Sequence, residues 1–142
     1  MIRAFRESDL TAVMQIWLDT NIKAHNFIPE KYWTDNYAMV KDMLPQAEIY
    51  VYEEDDSNYI DGFIGLMDNY IAGIFVKEVV QSKGIGKHLL DYVKELKLNL
   101  SLNVYQKNTR AVFFYQREQF KIQAESIDDS TNEKEFIMSW SK

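Results

Sequence analysis

Gln81-Ser82-Lys83-Gly84-Ile85-Gly86-Lys87 decides the fold, because of what flanks it. Before it, Ile71-Ala72-Gly73-Ile74-Phe75-Val76 is an apolar run of strand length. After it, Ile85, Leu89, Tyr92, Val93 and Leu96 recur at helical spacing, which predicts a helix starting near Gly84. The segment between is therefore a short glycine-bearing loop that delivers free N–H groups to a helix N-terminus. Those donors and the positive end of the helix dipole suit an anion, and a pyrophosphate above all. Glycine at 84 and 86 lets the backbone come close, where any side chain stands in the way.

The spacing discriminates among phosphate-binding loops. A Walker loop needs glycine five residues before Gly-Lys-Ser/Thr, but Gln81 holds that place and His88 follows Lys87. A dinucleotide fingerprint needs a third glycine where Leu89 stands. A second segment lies downstream. Leu100-Ser-Leu-Asn-Val-Tyr105 predicts a strand, and Asn108-Thr-Arg-Ala111-Val-Phe-Phe114-Tyr115 follows it with Asn108 as a helix N-cap. Ala111, Phe114, Tyr115 and Glu118 then share one helical face. Ordinary core packing produces the same spacing, so neither segment decides alone.

Together, and in this order, the two segments resemble the Gln/Arg-x-x-Gly-x-Gly/Ala loop and the Asn-x-x-Ala-x-x-Phe-Tyr signature of the GNAT acyltransferase superfamily. Ala24-His-Asn-Phe-Ile28, Tyr32-Trp33, Phe63-Ile-Gly65, Val104-Tyr-Gln-Lys-Asn108 and Ile137-Met-Ser-Trp140 extend the resemblance to that superfamily's small bacterial protein N-acetyltransferases. It spans nearly the whole chain. It implies an α/β (mixed-sheet) fold, with about seven strands, about four flanking helices and a splay between strands four and five. One departure is Gln119-Phe120, where the superfamily commonly has Gly-Phe. Gln119 then needs a positive φ to turn the chain out of the helix.

Composition agrees with a single domain over 1–142. At 142 residues, 46% of them apolar, the chain can bury roughly two thirds of its unfolded surface. With no cysteine, disulfides, thiolate metal sites and a cysteine nucleophile are excluded. Two histidines and no calcium-loop spacing leave no expected metal. The net charge of −6 speaks against nonspecific nucleic-acid binding. The sequence has no long apolar leader and no 18-residue apolar stretch, so no membrane contact is expected and the cytoplasm is the expected location.

Elsewhere the pattern is plain. Ile2–Phe5 reads as a strand; Ser8 or Asp9 can cap a helix with the stripe Leu10, Val13, Met14, Trp17 and Leu18. Pro29 opens a second helix lasting to about Met43. Ile49–Tyr52 and Ile60–Met67 are strands joined by the acidic Glu53–Asn58, read as a solvated turn. Lys121–Ile127 and Glu133–Trp140 form a terminal hairpin.

The resemblance also implies chemistry. The cofactor is acetyl-CoA, held by Ile74, Phe75, Val76, Gln81, Ser82, Lys83, Gly84, Ile85, Gly86, Lys87, Asn108, Ala111 and Phe114. A backbone N–H at or beside Val76 faces the thioester carbonyl, and Tyr115 is the general acid. His25, Phe27, Tyr32, Trp33 and Tyr70 line the acceptor side. The implied activity is transfer of acetyl to a primary amine, a protein lysine or N-terminus, by a monomer or homodimer. Alternatives are a small-molecule amine acetyltransferase and a catalytically weak acyl-CoA-binding module. The position of the usual fourth-strand glutamate falls on Ala72, leaving Tyr70, Asp68 and His25 as candidate bases.

Overall fold

Side-chain alternation along Ile60–Met67 sends Phe63 to one face of the sheet and Ile64 and Leu66 to the other, and all three are buried. A strand apolar on both faces needs helices on both. The computed structural model describes all residues 1–142 and supplies them. In chain order the elements are β1 (Ile2–Ala4), α1 (Leu10–Ala24), α2 (Glu30–Met43), β2 (Glu48–Glu53), β3 (Ile60–Met67), β4 (Tyr70–Val76), α3 (Ile85–Leu96), β5 (Asn99–Tyr105), α4 (Thr109–Arg117), β6 (Lys121–Asp128) and β7 (Glu133–Ser141). The strands form one sheet ordered β1-β2-β3-β4-β5-β7-β6. Only β4 and β5 run parallel.

Two apolar clusters fill the layers. Val13, Met14 and Trp17 of α1 and Trp33 of α2 pack on Val51 and Phe63. On the other face Leu89, Leu90 and Val93 of α3, with Val112 and Tyr115 of α4, pack on Ile64, Ile71 and Leu102. The α3 stripe is rotated from the expected one: Leu90 is buried, whereas Tyr92 and Leu96 are exposed. Tyr92 instead rests against Tyr50 at the sheet margin, ring centroids 5.0 Å apart.

Two local readings change. Asp9 precedes α1 but its carboxylate does not cap it. Both oxygens accept from the Arg3 guanidinium, at 2.8 and 2.9 Å, and Arg6 N donates to the same group at 2.8 Å. Glu53 likewise leaves the solvated turn: it ends β2 and accepts from Arg3 at 2.7 and 2.9 Å. Arg3 holds the Asp9 carboxyl below its ordinary range. Partners 50 residues apart leave no local trace. Gln119 does take φ 75°, with Phe120 N donating to Tyr115 O at 2.9 Å to close α4.

The feature that positions the site is in the middle of the sheet. β4 and β5 pair only at Tyr70–Ser101 and Ile71–Leu102, then part. On the other side of β4, Leu66 pairs with Ile71 and Gly65 with Gly73, so Ala72 is bulged. The bulge begins where the splay begins.

Candidate functional site

Lys77 N donates to Asp61 O across β3–β4 at 2.9 Å. Antiparallel ladders alternate, so Val76 and Ile74, opposite Gly62 and Ile64, are positions whose N–H and C=O point away from β3. They point into the splay. The Val76 carbonyl is taken up by Gln81 Nε2 at 2.9 Å, which folds the following loop back over the strand end. The Val76 N–H is a fixed dipole in the gap.

The loop then reaches α3 through two left-handed residues, Ser82 (φ 65°) and Gly84 (φ 85°). Gly84 is the N-cap and brings no side chain to the helix donors. A Cβ at Gly84 meets nothing within 4 Å, so it is the backbone angle that calls for glycine there. A Cβ at Gly86 makes only ordinary contact with Phe114 and Val76, at 3.6 and 3.9 Å. Glycine at 86 thus clears space over the helix N-terminus and relieves no internal clash.

Between α1, the end of β4, this loop and α4 lies a cleft of about 1380 Å³. Of the residues expected at the cofactor and as general acid, Ile74, Val76, Gln81, Ser82, Gly84, Ile85, Gly86, Lys87, Asn108, Ala111, Phe114 and Tyr115 all line it. Phe75 and Lys83 do not. Strand alternation turns Phe75 to the α1–α2 side, where it stacks on Phe63 at 4.8 Å, and Lys83 is exposed on the loop outside the lining.

Sequence reading missed the cleft's charge. Lys23, Lys77, Lys87, Lys107, Arg110 and Arg117 line it against only Asp19 and Glu78, in a chain whose net charge is −6. The positive field is local. Five of the six cations have a carboxylate within 4.0 Å; Arg110 has none and donates instead to Gln81 Oε1 (2.7 Å) and Ser82 Oγ (3.0 Å). The α1 wall was also missed, although Ala12, Ile16, Asp19 and Lys23 share a helical stripe visible in the sequence.

Tyr115 stands at the inner end of the cleft, 7% exposed, edge-on to Phe114 and Phe120. Burial, with Tyr70 adding to it, pushes its phenol far above the ordinary range, so it stays protonated. Asn108 caps α4, its Oδ1 accepting from Ala111 N at 3.3 Å. Its amide nitrogen therefore faces His25 Nε2 at 3.2 Å as the donor. Nδ1 of His25 is buried without a partner, and burial lowers the imidazole to about 4. Phe27, Trp33 and Tyr105 surround the ring. His25 is a buried imidazole beneath Asn108, its Nε2 taken up by the Asn108 amide.

The remaining predicted residues divide. Phe27 and Tyr32 line a smaller pocket of about 380 Å³ between the α1–α2 loop, α2 and the β6–β7 turn. Tyr70, 38% exposed, opens β4 and its hydroxyl meets Asn103 Oδ1 at 3.3 Å. Trp33 does not join them: it is 7% exposed, edge-on to Trp17 and stacked on His25. It backs the wall from the core. Trp33→Ala is accordingly expected to lower stability by about 3–5 kcal/mol, read as a fall in the urea midpoint. An unchanged midpoint with a raised amine KM restores it to the wall. Asp68 is exposed in the β3–β4 turn, at the opposite end of β4 from Val76.

Acid stability tests the His25 environment. The folded pKa lies near 4 against an ordinary 6.5, so between these values the native state binds fewer protons than the unfolded one. Stability is therefore complete above pH 6.5 and falls toward pH 4, by at most about 3 kcal/mol from this group. In His25→Gln, which keeps an acceptor for Asn108, urea unfolding is expected to show a flatter dependence over that interval. The same slope in both proteins contradicts the assignment.

A family model described as "Acetyltransferase (GNAT) domain" matches residues 45–122. The peptidyl-lysine N-acetyltransferase YiaC of Escherichia coli is 38% identical over 142 residues, covering 99% of this chain and 96% of that protein. Among solved structures, apo YjaB from Escherichia coli superposes with a TM-score of 0.86 at 25% identity, covering 98% of this chain and 95% of the other. The structure of yncA from Salmonella typhimurium, solved with its cofactor acetyl-CoA, gives a TM-score of 0.69 at 14% identity, covering 99% and 92%.

Proposed function

The chain belongs to the GNAT acetyltransferase family, and on that footing we propose that it transfers the acetyl group of acetyl-CoA directly to a primary amine, a protein lysine or N-terminal amine, in the cytoplasm. One observation carries the reading: a cation-lined cleft joins an uncapped helix N-terminus to a splayed strand whose Val76 N–H is unclaimed by β3. When bound, acetyl-CoA supplies an activated acyl group as its thioester. Ser82, Gly84, Ile85 and Gly86 offer backbone donors to a pyrophosphate, and Arg110 exchanges its bonds to Gln81 and Ser82 for phosphate oxygens. Ala111 and Phe114 give the pantetheine arm an apolar wall, and Asn108 a polar stop.

The Val76 N–H stabilises negative charge on the carbonyl oxygen, at no cost of reorganisation because the strand already fixes it. With no cysteine in the chain, an acyl-cysteine intermediate is excluded and the amine attacks directly. Tyr115 keeps its proton at every working pH and holds it toward the developing thiolate. A phenol held so tightly acts first as a hydrogen-bond donor and releases the proton only as the C–S bond opens. Incubation with acetyl-CoA and a panel of amines tests the whole reading, with thiol release and product mass as readouts. Tight acetyl-CoA binding without thiol release would favour the acyl-CoA-binding module, for which the methyl of Ala72 in place of an acid is the supporting observation.

A further inference from the structure

One carboxylate is tied to the strand that carries Tyr70. Glu135 on β7 stands directly opposite Tyr105 on β5 and Ser126 on β6. Its Oε1 accepts from Asn103 Nδ2 at 3.3 Å, and Asn103 Oδ1 accepts from the Tyr70 hydroxyl at 3.3 Å. This chain leads from β7 to the first residue of β4. Tyr70 in turn lies close enough to Tyr115 for its charge to oppose ionisation of that buried phenol.

The neighbouring acids are already engaged. Glu133 pairs with Lys107 at 3.0 Å, while Asp128 accepts from the Tyr105 hydroxyl at 2.5 Å and from Ser130 N at 2.9 Å. Glu135 has no cation within 4.0 Å and is half-buried. The groups that face it are the phenols of Tyr32 on α2 and Tyr70 on β4, with Asp128 on β6; Tyr105 on β5 is its cross-strand partner and gives its hydroxyl to Asp128. Ser126, its cross-strand neighbour, keeps a buried hydroxyl with no partner. Burial and Asp128 raise the Glu135 carboxyl above the ordinary range, against the hydrogen bond from Asn103. An unpaired carboxylate among aromatic rings complements an ammonium ion in charge and in quadrupole.

We propose that Glu135 is the specificity-determining group of the acceptor slot, receiving the acceptor as an ammonium ion and taking its proton. The substrate class is then a cationic primary amine such as a lysine side chain. This rests on the acetyltransferase reading above and deepens it. One ammonium N–H bond breaks and its proton passes to Glu135, which returns it to solvent. The freed lone pair forms the C–N bond while the C–S bond breaks. The sulfur takes a proton from Tyr115, which is replenished by the second proton lost from the acylated nitrogen. The sum is ammonium plus thioester giving amide, thiol and one proton.

Glu135→Gln keeps an acceptor for Asn103 and removes the charge. The experiment measures kcat/KM against pH for a lysine amide and for a weakly basic arylamine that is uncharged at pH 7, with acetyl-CoA affinity and the unfolding midpoint beside them. For the lysine amide the variant is expected to lose roughly 10²-fold at pH 7, with the acidic limb of the profile displaced upward to the titration of the amine itself, so that the rate recovers toward alkaline pH as the amine becomes neutral. The arylamine rate, acetyl-CoA affinity and midpoint are expected to stay at wild-type values. A wild-type profile in the variant, or equal losses for both amines, overturns the role of Glu135 alone. A wild-type protein that acetylates no amine overturns the parent reading, and this inference with it.

Discussion

Tyr115→Phe is expected to lower kcat by roughly 10²- to 10⁴-fold while acetyl-CoA binds almost as before. Phenylalanine keeps the ring that Phe114 and Phe120 pack against, at 5.2 and 5.5 Å. Only the hydroxyl goes, so the variant is expected to unfold at the wild-type temperature. Cofactor affinity is expected to change by no more than one hydrogen bond, about 0.5–1.5 kcal/mol. Steady-state kinetics and calorimetry on the same preparation separate the two quantities. A folded, fully active variant assigns the proton to solvent. A large loss of affinity with kcat intact makes Tyr115 a binding group.

Gly86→Glu is expected to abolish detectable acetyl-CoA binding and, with it, turnover. The internal geometry tolerates a Cβ here, with nothing nearer than Phe114 Cζ at 3.6 Å, so the fold is expected to survive. What the substitution adds is a carboxylate over the helix N-terminus, between the cleft's cations and any phosphate. Replacing attraction by repulsion at that point reverses several charge-assisted contacts, each worth about 1.5–3 kcal/mol, which exceeds a 10²-fold loss. Gly86→Ala separates charge from bulk and is expected to bind more weakly than wild type but measurably. Unchanged affinity in folded Gly86→Glu moves the phosphate site elsewhere.

The glycine loop, the two strands beside it and Asn108 were legible because each depends on neighbours within a few residues. A positive φ, a cap and an alternating strand are local facts. The direction of the Phe75 side chain was not legible because a segment match is blind to side-chain parity: Ile74 and Val76 line the cleft, and the ring between them turns to Phe63. The burial of Trp33 was not legible because α2 carries polar and aromatic residues on several sides, and only its packing on Trp17 shows which side is inward. Glu135 was invisible for another reason. Its neighbours Tyr70 and Asn103 come from distant strands, brought together by β7 inserting between β5 and β6. The Arg3–Glu53 pair escaped for the same reason of sequence distance.

Mechanically, the sheet is two plates on a short seam. β1 to β4 form one and β5, β7 and β6 the other, and just two residue pairs join them. α1 and α4 stand on opposite sides of the opening and both line it. A ligand seated there acts as extra stitching, bridging plates that the backbone leaves apart. Its binding free energy is then shared with the cohesion of the whole domain, so the filled protein is the stiffer object and the empty one carries its weakest line through the middle of its own core.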